Sequence, residues 1–340
     1  VRLFGQPRPP ESDFYTLTTH PDRAYPQWDD SVARQNQYYA DVAASIQRLT
    51  EETLLKMARH AYEMTGSENL CMAGGVALNS VANGRILRET PFKRVYVQPA
   101  AGDSGGALGA ALYAYHVVLG KPRQFVMEHA YWGQSHSPDA ARQAVRETGF
   151  HCEEVDDIEK RATLLVEDLL AGKVVSLCQN RFEWGPRALG NRSILADPRR
   201  PEMKEIVNRK IKFREPFRPF APAVLEEKIA DVFEGIDDPD GNYPLRYMLA
   251  VYGIRPSQQD RIPAVCHGGT GRLQAVRSQW NPLYHRVLQL FEEATGVPVV
   301  LNTSFNLRGD PIANTPEQAL DCFGRSGIDT LYMDGFVVRK

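Results

Sequence analysis

Apolar and polar residues follow one another along the chain in blocks whose period shifts between helical steps and short continuous runs, the pattern of a protein that mixes helices and strands. The start, to about residue 30, is rich in proline (Pro7, Pro9, Pro10, Pro21, Pro26) and reads as irregular. Val32, Tyr39, Val42, Ile46, Leu49, Thr53, Met57, Ala61 and Met64 then recur at three- or four-residue steps. They predict one long helix over Ser31–Met64, stopped by Gly66, with this stripe packed on a core. The apolar run Leu70–Ala73 before Gly74-Gly75 suggests a strand, glycine turn and helix in sequence. The run Arg94–Gln98, followed by Gly102-Asp103-Ser104-Gly105-Gly106 and an alanine-rich helix to about Leu119, suggests a second such unit. A break at Lys121-Pro122 divides the chain into 1–122 and 123–340.

Beyond the break the periodicity predicts helices over Ser137–Thr148, Ile158–Ala171, Asn281–Thr295 and Pro316–Phe323, and a buried strand Val174–Cys178. Further β-like runs are Arg246–Val251, Arg272–Val276, Val297–Leu301 and Thr330–Met333. Both parts are therefore expected to be α/β or α+β, without internal repeats.

Composition adds limits. A length of 340 residues suits about two domains with a sizeable core. A formal charge of -2 argues against a general nucleic-acid or anionic-membrane coat. The five cysteines are scattered, which fits neither a disulfide framework nor a CxxC zinc site and points to the reducing cytosol. No run of about 18 apolar residues occurs, and the polar start is not a signal peptide. Val1 in place of Met suggests a fragment or a processed chain.

Three stretches carry candidate chemistry. In Met72–Ser80, Gly74-Gly75 lets a phosphate or sugar approach the backbone at a helix start, or serves only as a tight connection. Asp103, among glycines, is either a helix cap or a carboxylate that ligates a metal or orients a nucleotide. The eight histidines form no HxxxH pair, so a transition-metal site on this chain would be incomplete. The third stretch, 181–218, holds eleven Lys or Arg against five Asp or Glu, a local +6 where the rest sums to -8. Its cations Arg181, Arg187, Lys212 and Arg218 are interleaved with Trp, Gly, Pro and Phe, and Pro216, Pro219 and Pro222 stiffen the backbone. Converging guanidinium groups suit a polyphosphate or phosphoric anhydride. The plainer reading is a solvated basic face pairing with Glu183, Glu202, Glu205 and Glu215. A base-stacking nucleic-acid patch is opposed by the overall charge. Arg272, after the glycines of 268–271, and Asn302, Thr303, Ser304 and Asn306, where a strand ends, are placed to complete the same pocket or to form turns.

The ordered segments GGVALNSVANGRI, AGDSGGALGAA, EWGPRALGNRSILADPR, KFREPFRPFAPAV and LNTSFNLRGDPI resemble the ATP-dependent O-carbamoyltransferase family from about residue 31 to 340. That family includes enzymes that decorate nodulation factors and antibiotics. The resemblance implies an α/β (α+β) fold: the C-terminal lobe of an actin/hexokinase-like transferase domain in 1–122, its N-terminal lobe absent, then a threonylcarbamoyl-adenylate-synthase-like domain in 123–340. It implies formation of carbamoyl-adenylate from carbamoyl phosphate and ATP, with Mg2+, and transfer of the carbamoyl group to a hydroxyl of a sugar, an aminoglycoside-like molecule or another small metabolite. Arg187, Lys212, Arg218 and Arg272 match phosphate-binding catalytic cations. Gly74, Gly75, Asn79, Arg181, Asn302, Thr303, Ser304 and Asn306 are the candidate cofactor-binding residues. Asp103 matches an aspartate that holds Fe2+ together with two histidines, whose HHxxHA-type motif does not occur here. The chain is accordingly expected to be cytoplasmic, without membrane or nucleic-acid partners, compatible with a homodimer, and not fully active alone. Two alternatives stay open: a threonylcarbamoyl route to tRNA, and a nucleotide-binding remnant without transfer activity.

Overall fold

The computed structural model describes residues 14–214, 217–236 and 238–340. The proline-rich start to residue 13, together with Glu215 and Pro216 of the basic stretch, lies outside the described residues.

The long helix α1 spans Asp30–Thr65. The Asp29 carboxylate caps it by accepting from the Ser31 and Val32 N–H groups, and Gly66, at φ 63°, ends it. Its buried face is not the expected stripe. Ala33, Asn36, Leu55 and Ala58 are buried, whereas Ile46, Leu49, Met57 and Met64 are exposed. The reason is the seam with α2 (Ser80–Glu89), which is small and polar: the Gln47 and Asn79 side-chain amides bond each other at 3.1 and 2.9 Å, and Glu51 pairs with Arg85 at 2.9 Å. A hydrophobicity pattern carries no trace of such a seam.

Strands β1 (Asn69–Met72) and β2 (Arg94–Val97) pair in parallel, as two tandem strand–turn–helix units require. Helix α3 (Gly105–Tyr113) runs on through a π turn at Ala114–Val118, close to the expected end, and buries none of its residues.

The remainder is built on one eight-stranded mixed sheet in the order β3-β12-β11-β4-β5-β10-β6-β9. These strands are β3 (His151–Glu154), β4 (Val175–Cys178), β5 (Arg192–Ala196), β6 (Ala221–Leu225), β9 (Gln274–Val276), β10 (Val299–Ser304), β11 (Thr330–Met333) and β12 (Phe336–Arg339). β7 (Tyr252–Gly253) and β8 (Thr270–Gly271) form a separate small ladder. Helices α4 (Pro138–Arg146) and α11 (Pro316–Arg325) pack together, as do α5 (Ile158–Leu170) and α10 (Pro282–Thr295). Between them lie the short helices α6 (Met203–Val207), α7 (Ile229–Val232), α8 (Tyr243–Arg246) and α9 (Pro256–Gln259). The mixed α/β class thus agrees with the sequence.

Residues 246–251 depart from expectation. Pro244 sits in the first turn of α8, and Met248 adopts a left-handed φ of 56°, so no strand forms. Instead Tyr247, Met248 and Leu249 join the second core, packing with Leu55, Ile86, Phe92, Val95 and Val97. β3, β5, β6 and β12 have no counterpart among the expected strands. β5 was hidden because it opens with Arg192, inside a stretch that reads as a basic motif. No helix of the described residues is long and apolar enough to cross a membrane, and the five cysteines are unpaired.

Backbone contacts fasten α2 to segment 247–251. The fully buried Asn83 amide donates to the Ala77 and Leu249 carbonyls at 2.8 and 2.9 Å, and the Val251 N–H donates to the Ser80 carbonyl at 3.0 Å. A methyl group on Gly84 would collide with the Val251 carbonyl oxygen. Gly84→Ala should therefore lower stability by about 1–3 kcal/mol despite its better helix propensity. Chemical unfolding measures this, and an unchanged or raised stability would show that the contact is not tight.

Candidate functional site

Strand β10 runs antiparallel to both β5 and β6, so Ser304 faces Ser193 and Asn302 faces Ala221. β9 lies parallel to β6, with Gln274 facing Ala223. Consequently the C-terminal end of β10 shares one sheet edge with the N-terminal ends of β5, β6 and β9. Segments 180–191, 208–220 and 267–273 enter the sheet there, carrying Arg187; Lys212, Arg214 and Arg218; and Arg272. Topology, not sequence proximity, brings these cations together.

Their electrostatics are unusual. The Lys212 ammonium reaches across to the end of β10 and donates to the Ser304 carbonyl, to Ser304 Oγ at 3.2 Å, and to the Asn306 carbonyl and Oδ1 at 3.0 and 2.7 Å. These oxygens favour the charged form, but burial, helped by the positive Arg214, pulls its pKa down to about 7. Burial likewise lowers Arg272 to about 9, with repulsion from Arg187 and Arg214 adding to the effect. Burial also pulls Arg187 below its ordinary value. The Nε atoms of Arg187 and Arg272 are buried without a hydrogen-bond partner. No carboxylate of the described residues offsets Arg187, Lys212 or Arg272. Arg218 lies exposed on the segment that follows Lys212.

A buried polar frame fixes the Arg187 segment. Glu183 Oε1 accepts the N–H groups of Leu189, Asn191 and Arg192 at 2.7, 2.8 and 3.1 Å. Burial raises the Glu183 pKa against these bonds. Gln274 donates to the Leu189 carbonyl at 2.7 Å, and Asn302 donates to Gln274 Oε1 at 2.7 Å and the Ala188 carbonyl at 3.3 Å. Arg192, fully buried, donates to the carbonyls of Gln179, Asn180, Asn191 and Asn314.

Of the candidate cofactor residues, Asn302 is therefore part of this frame, Ser304 and Asn306 hold Lys212, and Thr303 is half-buried between them. Glu183 is no surface partner, although Arg200–Glu202 and Arg209–Glu205 do pair at 2.8 Å, so part of the basic excess is a solvated face. Gln274 and Arg214 lie in stretches singled out in the sequence but were not among the candidate site residues; an uncharged Gln beside a strand gives no signal.

The other candidates lie elsewhere. Gly74 (φ 98°) and Gly75 are exposed after β1, and Gly74 N–H donates to the Ala101 carbonyl at 2.8 Å. Asn79 caps α2 by accepting from the Ala82 N–H. Gly74 and Asp103 line a cavity of about 660 Å³ with Tyr96, Gln98 and Leu112. Asp103 is exposed and does not cap α3, which begins two residues later with no side-chain cap. Among the described residues no three His, Cys, Asp or Glu side chains converge, so the donor set present does not fit an iron ion. Arg181 donates to the Gly133 and Trp132 carbonyls at 3.0 and 3.1 Å and lines a different cavity, with Arg161.

Comparison with known proteins adds family matches to this geometry. Residues 166–340 match the family described as carbamoyltransferase C-terminus and residues 15–112 that described as carbamoyltransferase N-terminus. The chain is 43% identical over 326 residues to the uncharacterized protein sll1178 of Synechocystis, covering 88% of this chain and 52% of the relative. It is 41% identical over 310 residues to nodulation protein NolNO of Sinorhizobium fredii, covering 89% and 44%. It is 40% identical over 314 residues to nodulation protein NolO of Bradyrhizobium diazoefficiens, covering 89% and 55%. The chain thus spans about half the length of the curated relatives it matches. A likeness to full-length HypF in a phosphate- and nucleotide-bound form, with TM-score 0.35 and 11% identity over 54% of this chain and 24% of that one, is too slight to carry weight.

The frame makes a directional claim about Glu183. Glu183→Ala leaves three buried N–H groups without their acceptor and should destabilise the protein by at least about 1–3 kcal/mol. Glu183→Gln keeps an acceptor oxygen and should retain most of that stability. Thermal unfolding of both variants decides it, and an equal loss in the two would refute the clamp.

Proposed function

The chain belongs to the carbamoyltransferase family, and from that premise we propose that its cationic sheet edge binds carbamoyl phosphate and ATP, the latter as its Mg2+ complex, and makes carbamoyl-adenylate. The observation that carries this is the gathering of buried Lys212 and half-buried Arg187 and Arg272 at one sheet edge with no described carboxylate offsetting them. Desolvated like charges are costly until an anion enters, and a site built this way is suited to phosphoryl oxygens.

In the proposed sequence, water cleaves carbamoyl phosphate to carbamate and phosphate. A carbamate oxygen then attacks the α-phosphorus of ATP, and pyrophosphate leaves with the electron pair of the broken P–O bond. Both steps shift negative charge onto phosphate oxygens, and Arg187, Arg272 and Lys212 stabilise it by position and charge. Arg218 on the neighbouring segment suits the outer phosphates. Transfer to a hydroxyl, with AMP leaving, is proposed for the 1–122 part, where Gly74 and Asp103 line one cavity wall. The acceptor is proposed as a sugar or another hydroxyl-bearing small molecule, and five unpaired cysteines support a reducing cytosolic setting.

Arg187→Ala and Arg272→Ala should each slow pyrophosphate release from ATP plus carbamoyl phosphate by about 10²–10³-fold, the loss typical of one such donor. Release near the unsubstituted rate in a folded variant would overturn the assignment.

Lys212 adds a pH signature. Just above its pKa of about 7 the ammonium is mostly deprotonated, and a bound phosphate restores the proton. Anion affinity should therefore fall as pH rises through about 7, and binding above that value should take up a proton. The empty protein should gain stability over the interval from there to the ordinary lysine value, where only the unfolded chain holds the proton. Calorimetry of phosphate binding in buffers of differing ionisation enthalpy measures the uptake. Its persistence in Lys212→Met would assign the proton to another group.

A further inference from the structure

The same sheet edge carries a second cavity, of about 370 Å³, at the C-terminal ends of the parallel strands β4 and β11. β4 is two strands from β10, which sets it about 10 Å along the edge from the strand that anchors Lys212. The cavity is lined by Arg161 of α5, His136, Arg181, Asp156 and Asp334. The Arg161 side chain makes no hydrogen bond or ion pair among the described residues, and its Nε is buried. His136 Nε2 is likewise buried without a partner. Asp156 also makes no hydrogen bond or ion pair among the described residues. Asp334 accepts the Asn180 N–H at 2.9 Å, with Asn180 in a left-handed conformation of φ 48°.

The unsatisfied groups constrain what would fill the space. Arg161 needs an acceptor with the geometry of a carboxylate or phosphate. Two guanidinium groups face two carboxylates, so a dianionic phosphate would be repelled by Asp156 and Asp334, and a bare cation by the arginines. A single carboxylate with a donor beside it meets both demands. The volume is at the lower end of the roughly 300–1,000 Å³ of small-molecule sites.

We propose that this cavity binds a small carboxylate with a hydrogen-bond donor on the adjacent carbon, the head group of an α-hydroxy or α-amino acid. Arg161 takes the carboxylate, and Asp156 accepts from the hydroxyl or ammonium. The assignment goes beyond the carbamoyl-transfer reading and does not rest on it.

The test is to screen the protein α-amino acids and their α-hydroxy counterparts against the full chain by thermal shift and to confirm hits by calorimetry. At least one acid should bind, and its analogue lacking the amine or hydroxyl should bind about tenfold or more weakly. Arg161→Gln should abolish binding, Asp156→Asn should weaken it, and Arg187→Ala, at the other site, should leave it unchanged. Should Arg161→Gln fail to fold, Arg161→Lys, which keeps the charge but loses the planar fork, should show the loss. Which of the two series binds tells the hydroxyl from the ammonium. No ligand in either series, equal binding of the analogue lacking the donor, unchanged binding in a folded Arg161 variant, or inorganic phosphate competing for the site would each overturn the proposal.

Discussion

Three cations, Lys212 buried and Arg187 and Arg272 half-buried, gathered at one sheet edge without a balancing carboxylate among the described residues, form the constraint on which the rest of the C-terminal part depends. Carboxylates would cancel the charge. The protein holds the cations with neutral oxygen instead. Lys212 is tied by carbonyl, hydroxyl and amide oxygens at the end of β10, and the Arg187 segment is tied by its own backbone to Glu183, Gln274 and Asn302. Glu183 lies within this frame, and its Oε1 is committed to three N–H groups rather than to a guanidinium. Neutral dipoles position charge without quenching it, and they need no reorganisation when an anion arrives.

How much of this was legible in the sequence follows from what each feature looks like as a string. Arg187, Lys212 and Arg272 could be nominated because charge density and glycine-rich flanks are visible in one dimension. That they share an edge could not, because it depends on β10 running antiparallel to β5 and β6, and two of these three strands carry no recognisable alternation: β5 is buried along its whole length and β6 begins Ala221-Pro222. The helices that bury an apolar stripe on the sheet, such as Ile158–Leu170 and Pro282–Thr295, were legible within a few residues. The orientation of α1 was not, since its seam with α2 is built from polar Gln47 and Glu51, its buried residues include Ala33, Asn36 and Ala58, and many of its exposed residues are more apolar.

The second core packs residues from both sides of position 122 together. A stack of rings and cations runs from Tyr96 in β2 to Tyr243, with ring centroids 5.2 Å apart. It continues to Arg246, 4.1 Å above the Tyr243 ring, and to Trp280, which Arg246 and Arg277 flank at 4.8 and 4.7 Å. Arg277 in turn pairs with Glu226, just past β6. Trp280 immediately precedes Asn281, whose amide donates to Asn191 Oδ1 at 2.9 Å and whose Oδ1 accepts from Gln179 at 3.1 Å, in the frame around the Arg187 segment. These contacts form a continuous packed chain from β2 to the cationic edge.

Along that edge the charge balance changes from one end to the other for a reason that lies in the strand directions. Toward β10, β6 and β9 the entering segments are long and basic, and they meet an end of β10 that offers only amide, hydroxyl and carbonyl oxygen. Toward β4 and β11 two parallel strands end together, and the residues just beyond them, Asn180 and Asp334, are drawn into a shared turn by the Asn180 N–H bond to the Asp334 carboxylate. That bond brings an acid to the edge beside Arg161, so the positive field weakens there. Two neighbouring regions of opposite charge balance, one purely cationic and one that mixes arginine with aspartate, arise from a single mixed sheet because antiparallel and parallel neighbours deliver different chain ends to the same edge.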